Sequence, residues 1–267
     1  MDSQRYFVLA SDPAERFIQD LNNLHRGCLP TEFLGKAEVH LWVVPLVISA
    51  EKSSYFKSIL SLDEQERAGR FRKIGDAQRY IAARGLLRRL LGSYVARAPD
   101  RLQFTYDAFG KPSLAGQTSE AVINFSVSHS EDQALFGFAR GRRIGVDLEY
   151  VRPDIDVLGL AKGDFSPNEF RRLRRLPASE QCEAFYCLWT RKEAYLKACG
   201  EGLSFGLERV EVSSSPAEPA MIRKVAGASN ASEHWTLKHL SPAPNYLGAA
   251  AVEGRSVTFK FLDWQLT

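Results

Sequence analysis

Residues 144–150 read Ile-Gly-Val-Asp-Leu-Glu-Tyr, an alternation of apolar residues with Gly145, Asp147 and Glu149. The period of two fits a strand and not a helix. On such a strand both carboxylates occupy one face, their Cα atoms roughly 6.5–7 Å apart. Two readings follow. The pair is the wet face of a half-buried strand, or it is a pair of anions whose mutual repulsion a divalent cation relieves while taking them as hard oxygen ligands.

The second constraint is helical. The pattern from about Ser179 to Cys199 predicts one long helix, and Gly200 suits its left-handed cap. Its apolar face holds Phe185, Leu188, Trp189, Leu196 and Cys199, and a second stripe carries Tyr186, Thr190, Glu193 and Lys197. Glu193 and Lys197 are spaced for a surface ion pair contributing ~0.3 kcal/mol. Lys192 falls beside the apolar face, where it is either a snorkelling stem or a buried phosphate ligand.

Earlier, Ser61-Leu62-Asp63-Glu64 has the form of a capping box. A helical pattern follows through Phe71, Tyr80, Ile81, Leu86, Leu87, Leu90 and Leu91, with a break expected at Gly75. Its other face is basic: Arg70, Arg72, Lys73, Arg79, Arg84, Arg88 and Arg89. A second capping box, Ser166 to Glu169, carries Pro167 at the first helical position. Strands are expected over 39–49, 235–240, 246–252 and 256–262, with short strands and turns over 101–150 and a loop over 213–219. Both halves thus read as strand, long helix, strands. They predict two similar α+β subdomains, 1–139 (with 1–37 a loosely organised lead-in) and 140–267.

Composition narrows the class. With 45% hydrophobic and 25% charged residues over 267 positions, the chain is neither disordered nor of low complexity. A net charge of +3 argues against a wholly basic nucleic-acid binder. The four cysteines, Cys28, Cys182, Cys187 and Cys199, form no CxxC pair and read as reduced thiols. The first residues lack the pattern of a signal peptide, and the longest apolar stretch, 41–50, contains Pro45 and is too short to span a bilayer. A cytoplasmic protein bound to neither membrane nor nucleic acid is expected. No nucleophile elbow, GxGxxG or GxxxxGK[ST] pattern occurs, which disfavours acyl-enzyme triads, Rossmann sites and P-loops.

Two smaller elements carry polar groups. Ser126-Val127-Ser128-His129-Ser130 follows a strand-like stretch and is either a capped turn or a polar pocket. Phe109-Gly110-Lys111-Pro112 is a turn presenting one lysine.

In order along the chain, FGKPSL, SVSHS, GVDLE and LWTRKEAYLKACGEGL resemble the Sfp-type 4′-phosphopantetheinyl transferases. The resemblance covers roughly residues 60–205, with 246–250 also in the family's style. Ser126 stands where the family usually has an asparagine, at what is read here as a turn contact, and Arg72 and Lys73 match its amino-terminal basic positions only loosely. The resemblance implies a pseudo-twofold pair of α+β subdomains with coenzyme A between them. It implies transfer of the 4′-phosphopantetheine arm to a serine of an acyl or peptidyl carrier protein, with release of 3′,5′-ADP.

By the same resemblance Asp147, Glu149 and Glu193 hold Mg²⁺, with Mn²⁺ as a substitute. Lys197 contacts the phosphates, and Lys111, Ser128 and His129 the phosphorylated adenosine. Arg84 is a further coenzyme A phosphate contact, and Glu193 is the candidate base. Asp147, Glu193 and Lys197 form the catalytic set of a monomer that meets its carrier transiently. Arg171, Arg172, Arg174 and Arg175 are either a solvated helix face or a greeting surface for an acidic carrier helix. Two rivals stand beside this reading: another Mg²⁺-dependent phosphotransferase acting on a nucleotide, and a non-catalytic binding module built on the arginine-rich helices.

Overall fold

The computed structural model describes residues 34–117, 122–200, 205–228 and 230–263. The lead-in up to residue 33, with Cys28, lies outside the described residues.

Strand β1 covers Glu38–Pro45. It stops at Pro45, short of the expected Ser49, because proline offers no amide to a ladder. Ser49 instead caps helix α1, Ala50–Ser58, accepting the Lys52 amide. The first capping box forms and opens α2, Leu62–Gly69. The helical pattern then breaks at 70–73 and not at Gly75, which lies in the first turn of the 22-residue helix α3, Ile74–Val95. Beyond a small hairpin of β2, Phe104–Tyr106, and β3, Pro112–Leu114, come three long strands: β4, Ile123–Ser130, β5, Gln133–Arg140, and β6, Ile144–Tyr150.

Helices α4, Val157–Asp164, and α5, Pro167–Arg175, lead into the 22-residue α6, Ala178–Cys199, which Gly200 closes at φ 76°. A second small hairpin, β7 (Val210–Val212) with β8 (Ile222–Val225), precedes β9, Trp235–Leu240, β10, Tyr246–Glu253, and β11, Thr258–Asp263. Among the described residues no helix is long and apolar enough to cross a membrane.

Two main sheets result, ordered β11-β1-β5-β4 and β6-β10-β9. Period-two alternation assigns every strand face. Trp42, Val44, Phe136 and Phe138 pack against Leu86, Leu87 and Leu90 of α3. On the other face of that sheet Val39, Leu41, Leu135 and Ala139 meet Ile144, Val146, Leu148, Ala250 and Val252 of the second sheet. The remaining face of the second sheet, Leu247, Ala249 and Ala251, lies under Ala194, Leu196 and Ala198 of α6. The order is helix, sheet, sheet, helix. Gly137 permits the close sheet contact, since a Cβ there would lie 2.6 Å from a Val146 methyl.

The division expected near residue 140 does not sort every strand. β11, from the end of the chain, runs parallel to β1 and completes the first sheet, with Val39 opposite Phe259.

A polar seam between two sheet edges

β4 ends one sheet and β6 ends the other, and the two are not ladder partners. An edge strand leaves backbone amides without sheet partners. Here serines supply them. Ser126 Oγ accepts the Val146 amide at 3.1 Å, and Ser130 Oγ accepts the Tyr150 amide at 3.0 Å. Ser128 Oγ donates to Asp147 Oδ1 at 2.9 Å, and Ser130 Oγ donates to Glu149 Oε2 at 3.0 Å. The Ser-His-Ser element is therefore the end of a strand and not a capped turn. Ser126, where the resemblance raised a turn contact, makes a contact between strands.

The carboxylate face of β6 is not wet. Gly145, Asp147 and Glu149 face α6, and Asp147 is 2% exposed. A Cβ on residue 145 would fall 2.0 Å from the Ala194 carbonyl oxygen and 2.4 Å from the Ala198 amide nitrogen. The helix backbone thus rides directly on a glycine, which brings Glu193 and Lys197 over Asp147. Lys197 Nζ donates to Asp147 Oδ1 at 2.6 Å and to Ser128 Oγ at 3.2 Å. The surface pair expected of Glu193 and Lys197 does not form; Glu193 is 8% exposed and Lys197 is bound to the strand acid.

Charges shape one another across this seam. Burial, then the negative charge of Asp147, pushes Glu193 up to about 7. Burial and Asp147 also raise Glu149, with the Ser130 hydroxyl opposing them. For Lys197 burial works downward, but the bond and charge of Asp147, backed by Glu193 and Glu149, hold it above its ordinary value. Desolvation, then Lys197 and Arg79, lowers His129 at the end of β4.

The donor chemistry fits a divalent cation. Asp147 Oδ2 and Glu193 Oε1 are buried and have no hydrogen-bond partner. An ionised oxygen in that state is costly unless a cation meets it. Carboxylate oxygens are what Mg²⁺ prefers. The acids do not stand as a closed cage: among the described residues no three acidic, histidine or cysteine side chains are gathered at ligating spacing. Asp147 is tied to Ser128 and Lys197, and Glu149 to Ser130.

Three basic residues differ from expectation. Arg84 is not a free cation on the helix face: it is held by Glu64 and by Tyr106 Oη, the latter at 2.6 Å, with its guanidinium 4.3 Å above the Phe104 ring. Lys111 is not displayed by its turn; its Nζ donates to the carbonyls of Lys197 at 2.5 Å and Ile144 at 3.2 Å, and burial lowers its pKa. It lines a cavity of about 530 Å³ with Asn124, Arg143 and Cys199. Lys192 neither snorkels nor faces solvent: at 0% exposure its Nζ meets Glu169 Oε2 at 2.5 Å and the carbonyls of Leu207 and Val210. Glu169 is the acid of the second capping box, so one side chain both starts α5 and neutralises a buried lysine.

Arg79 is a further cation near the seam, one that the sequence marks only as part of a basic helix face. It belongs to the basic face of α3, its Nε donates to Asp132 Oδ1 at 2.9 Å, and its charge reaches His129. In the sequence Ser130 reads only as a flank of the histidine. Its signal was the two-residue spacing Ser126, Ser128, Ser130, which matches the strand period.

Comparison with known proteins identifies the family. Residues 143–251 match the profile of the 4′-phosphopantetheinyl transferase superfamily, and residues 49–137 match that of the 4′-phosphopantetheinyl transferase N-terminal region. The chain is 40% identical over 217 residues to the 4′-phosphopantetheinyl transferase HetI of Nostoc sp., covering 81% of this chain and 88% of that protein. It is 30% identical over 165 residues to the 4′-phosphopantetheinyl transferase Sfp of Bacillus subtilis, covering 62% of this chain and 71% of that one. With relatives matched over most of their length and both halves of the chain accounted for, this protein is an enzyme of the 4′-phosphopantetheinyl transferase family.

Proposed function

We propose that the enzyme moves the 4′-phosphopantetheine arm of coenzyme A to a serine of an apo acyl or peptidyl carrier protein, releasing 3′,5′-ADP, with Mg²⁺ held by Asp147, Glu149 and Glu193. The observation that carries this reading is the pair of buried, unpartnered carboxylate oxygens of Asp147 and Glu193 beside the Lys197 ammonium. Acids alone would repel a pyrophosphate; acids that a divalent cation answers, with a fixed ammonium next to them, attract one. When bound, the cation neutralises charge on the pyrophosphate oxygens.

The chain's own groups have defined work. A bond forms between the carrier serine oxygen and phosphorus, the bond from phosphorus to the bridging oxygen breaks, and 3′,5′-ADP departs with that oxygen. The serine proton passes to Glu193, directly or through a water; a group near 7 is suited to taking a proton at neutral pH. Metal ligation lowers a carboxylate's basicity, so the two roles assigned to Glu193 compete.

Lys197 contributes a charge-assisted hydrogen bond to the phosphates. His129, at the end of β4 and within reach of the charges of Lys197 and Arg79, is the contact for the phosphorylated adenosine. Ser128 and Lys111 bear on that contact through the groups they hold, Asp147 and the Lys197 carbonyl.

Carrier domains are the proposed transient partners of a monomeric, cytoplasmic enzyme. The test is incubation with coenzyme A, Mg²⁺ and an apo carrier. A mass gain of one phosphopantetheine on the carrier, lost on chelation, is expected. Phosphoryl transfer to another acceptor with no change in the carrier would sink the reading in favour of a different nucleotide phosphotransferase.

A further inference from the structure

We infer that Ser130 is a positioning residue that aims the Glu149 carboxylate into the site, an inference that rests on the reading of Glu149 as a metal ligand. The Ser130 hydroxyl has one proton and two lone pairs. Its oxygen accepts the Tyr150 amide at 3.0 Å, and its proton goes to Glu149 Oε2 at 3.0 Å. The amide contact pins the hydroxyl to the edge of β6, so the direction of its proton is set by backbone and not by a free rotor.

Glu149 needs this restraint more than Asp147 does. Asp147 has a shorter side chain and two partners, Ser128 and Lys197. Glu149 has one more rotatable bond and lies next to the last residue of its strand, in a less buried position. Left without Ser130, its carboxylate would lose that hydrogen bond and swing toward solvent, away from the Asp147 carboxylate. Hydrogen bonds to metal-ligating carboxylates commonly set metal affinity by 10–100-fold. Ser126 serves the same seam by register alone, since its oxygen takes the Val146 amide.

The test measures Mn²⁺ binding to the full chain with coenzyme A present, reading free Mn²⁺ by its electron paramagnetic resonance signal. Ser130→Ala and Ser130→Cys, the latter keeping volume with a weak donor, are compared with Ser130→Thr, which restores the hydroxyl. Thermal midpoints are recorded for each. Ser130→Ala and Ser130→Cys are expected to weaken Mn²⁺ roughly tenfold, with Ser130→Thr near the parent. Glu149→Gln separates the two levels of the argument. If it weakens Mn²⁺ while Ser130→Ala and Ser130→Cys stay within about twofold of the parent, the role of Ser130 is overturned and the ligand reading survives. If Glu149→Gln itself leaves Mn²⁺ binding unchanged, both fall together.

Discussion

The Cβ that Gly145 lacks would lie 2.0 Å from the carbonyl oxygen of Ala194, closer than any carbon and oxygen can approach without bonding. Helix α6 therefore reaches β6 at backbone distance, and that approach sets Glu193 and Lys197 over Asp147. Gly145→Ala must push the helix outward, because the obstacle is backbone and has no rotamer to escape into. The substitution is expected to destabilise the protein by about 1–3 kcal/mol and to lower the transfer rate more steeply than the thermal midpoint suggests. A variant with parental melting and parental rate would refute the claim.

Asp147 is the acceptor for both Lys197 and Ser128 and carries one of the two orphaned oxygens. Asp147→Ala is expected to reduce transfer on the order of 10²-fold or more while coenzyme A binding falls much less. Steady-state rates in Mg²⁺ with parallel calorimetry of coenzyme A binding separate the two effects. Retention of most of the rate would remove Asp147 from the mechanism.

Lys192 tests whether a conspicuous buried cation belongs to the site. Its bonds to Glu169, Leu207 and Val210 make it structural. Lys192→Met leaves Glu169 charged and buried, at a cost of about 3–5 kcal/mol. The expected signature is a large fall in thermal midpoint with an unchanged coenzyme A KM, measured below the new midpoint. A raised KM in a stable variant would return Lys192 to the list of phosphate ligands.

The four arginines of α5, Arg171, Arg172, Arg174 and Arg175, are all exposed, while Leu173 between them is buried. If they meet an acidic carrier helix, reversing two of them to glutamate should raise the carrier KM about tenfold or more and leave the coenzyme A KM alone. Added salt should weaken the parental enzyme's carrier KM in the same direction. Equal carrier KM values for parent and variant would mean that the run is simply a solvated face.

His239, in the same cross-strand row as Asp147 with Ala249 between them, supplies a pH dependence of stability. Desolvation first, then the charges of Arg191 and Lys238, lowers its pKa from 6.5 to about 4. Between those values the unfolded chain binds a proton that the folded chain does not, so stability falls as pH drops through that window and is unaffected by this group above it. The thermal midpoint of the parent should fall more between pH 7 and pH 5 than that of His239→Gln. Parallel curves for the two proteins would show that the histidine does not titrate as described.

Much of the scaffold was legible from local pattern. The capping boxes at Ser61 and Ser166 open helices, and Gly200 closes the long one. The alternation in β6 put Asp147 and Glu149 on one face because strand geometry leaves no other choice. What a face meets is another matter. Periodicity marks Lys192 as lying beside an apolar stripe, but it cannot say that the acid of a capping box 23 residues earlier waits there.

The sequence by itself determined which residues share a strand or a helix face, since each such pattern is written within a few consecutive positions. Only the tertiary structure decided that β11 returns beside β1, that two sheet edges are joined by serines, and that Lys197 answers an aspartate 50 residues away. Those outcomes depend on how whole faces stack and on where a missing Cβ lets two backbones meet. No short window of sequence contains that information.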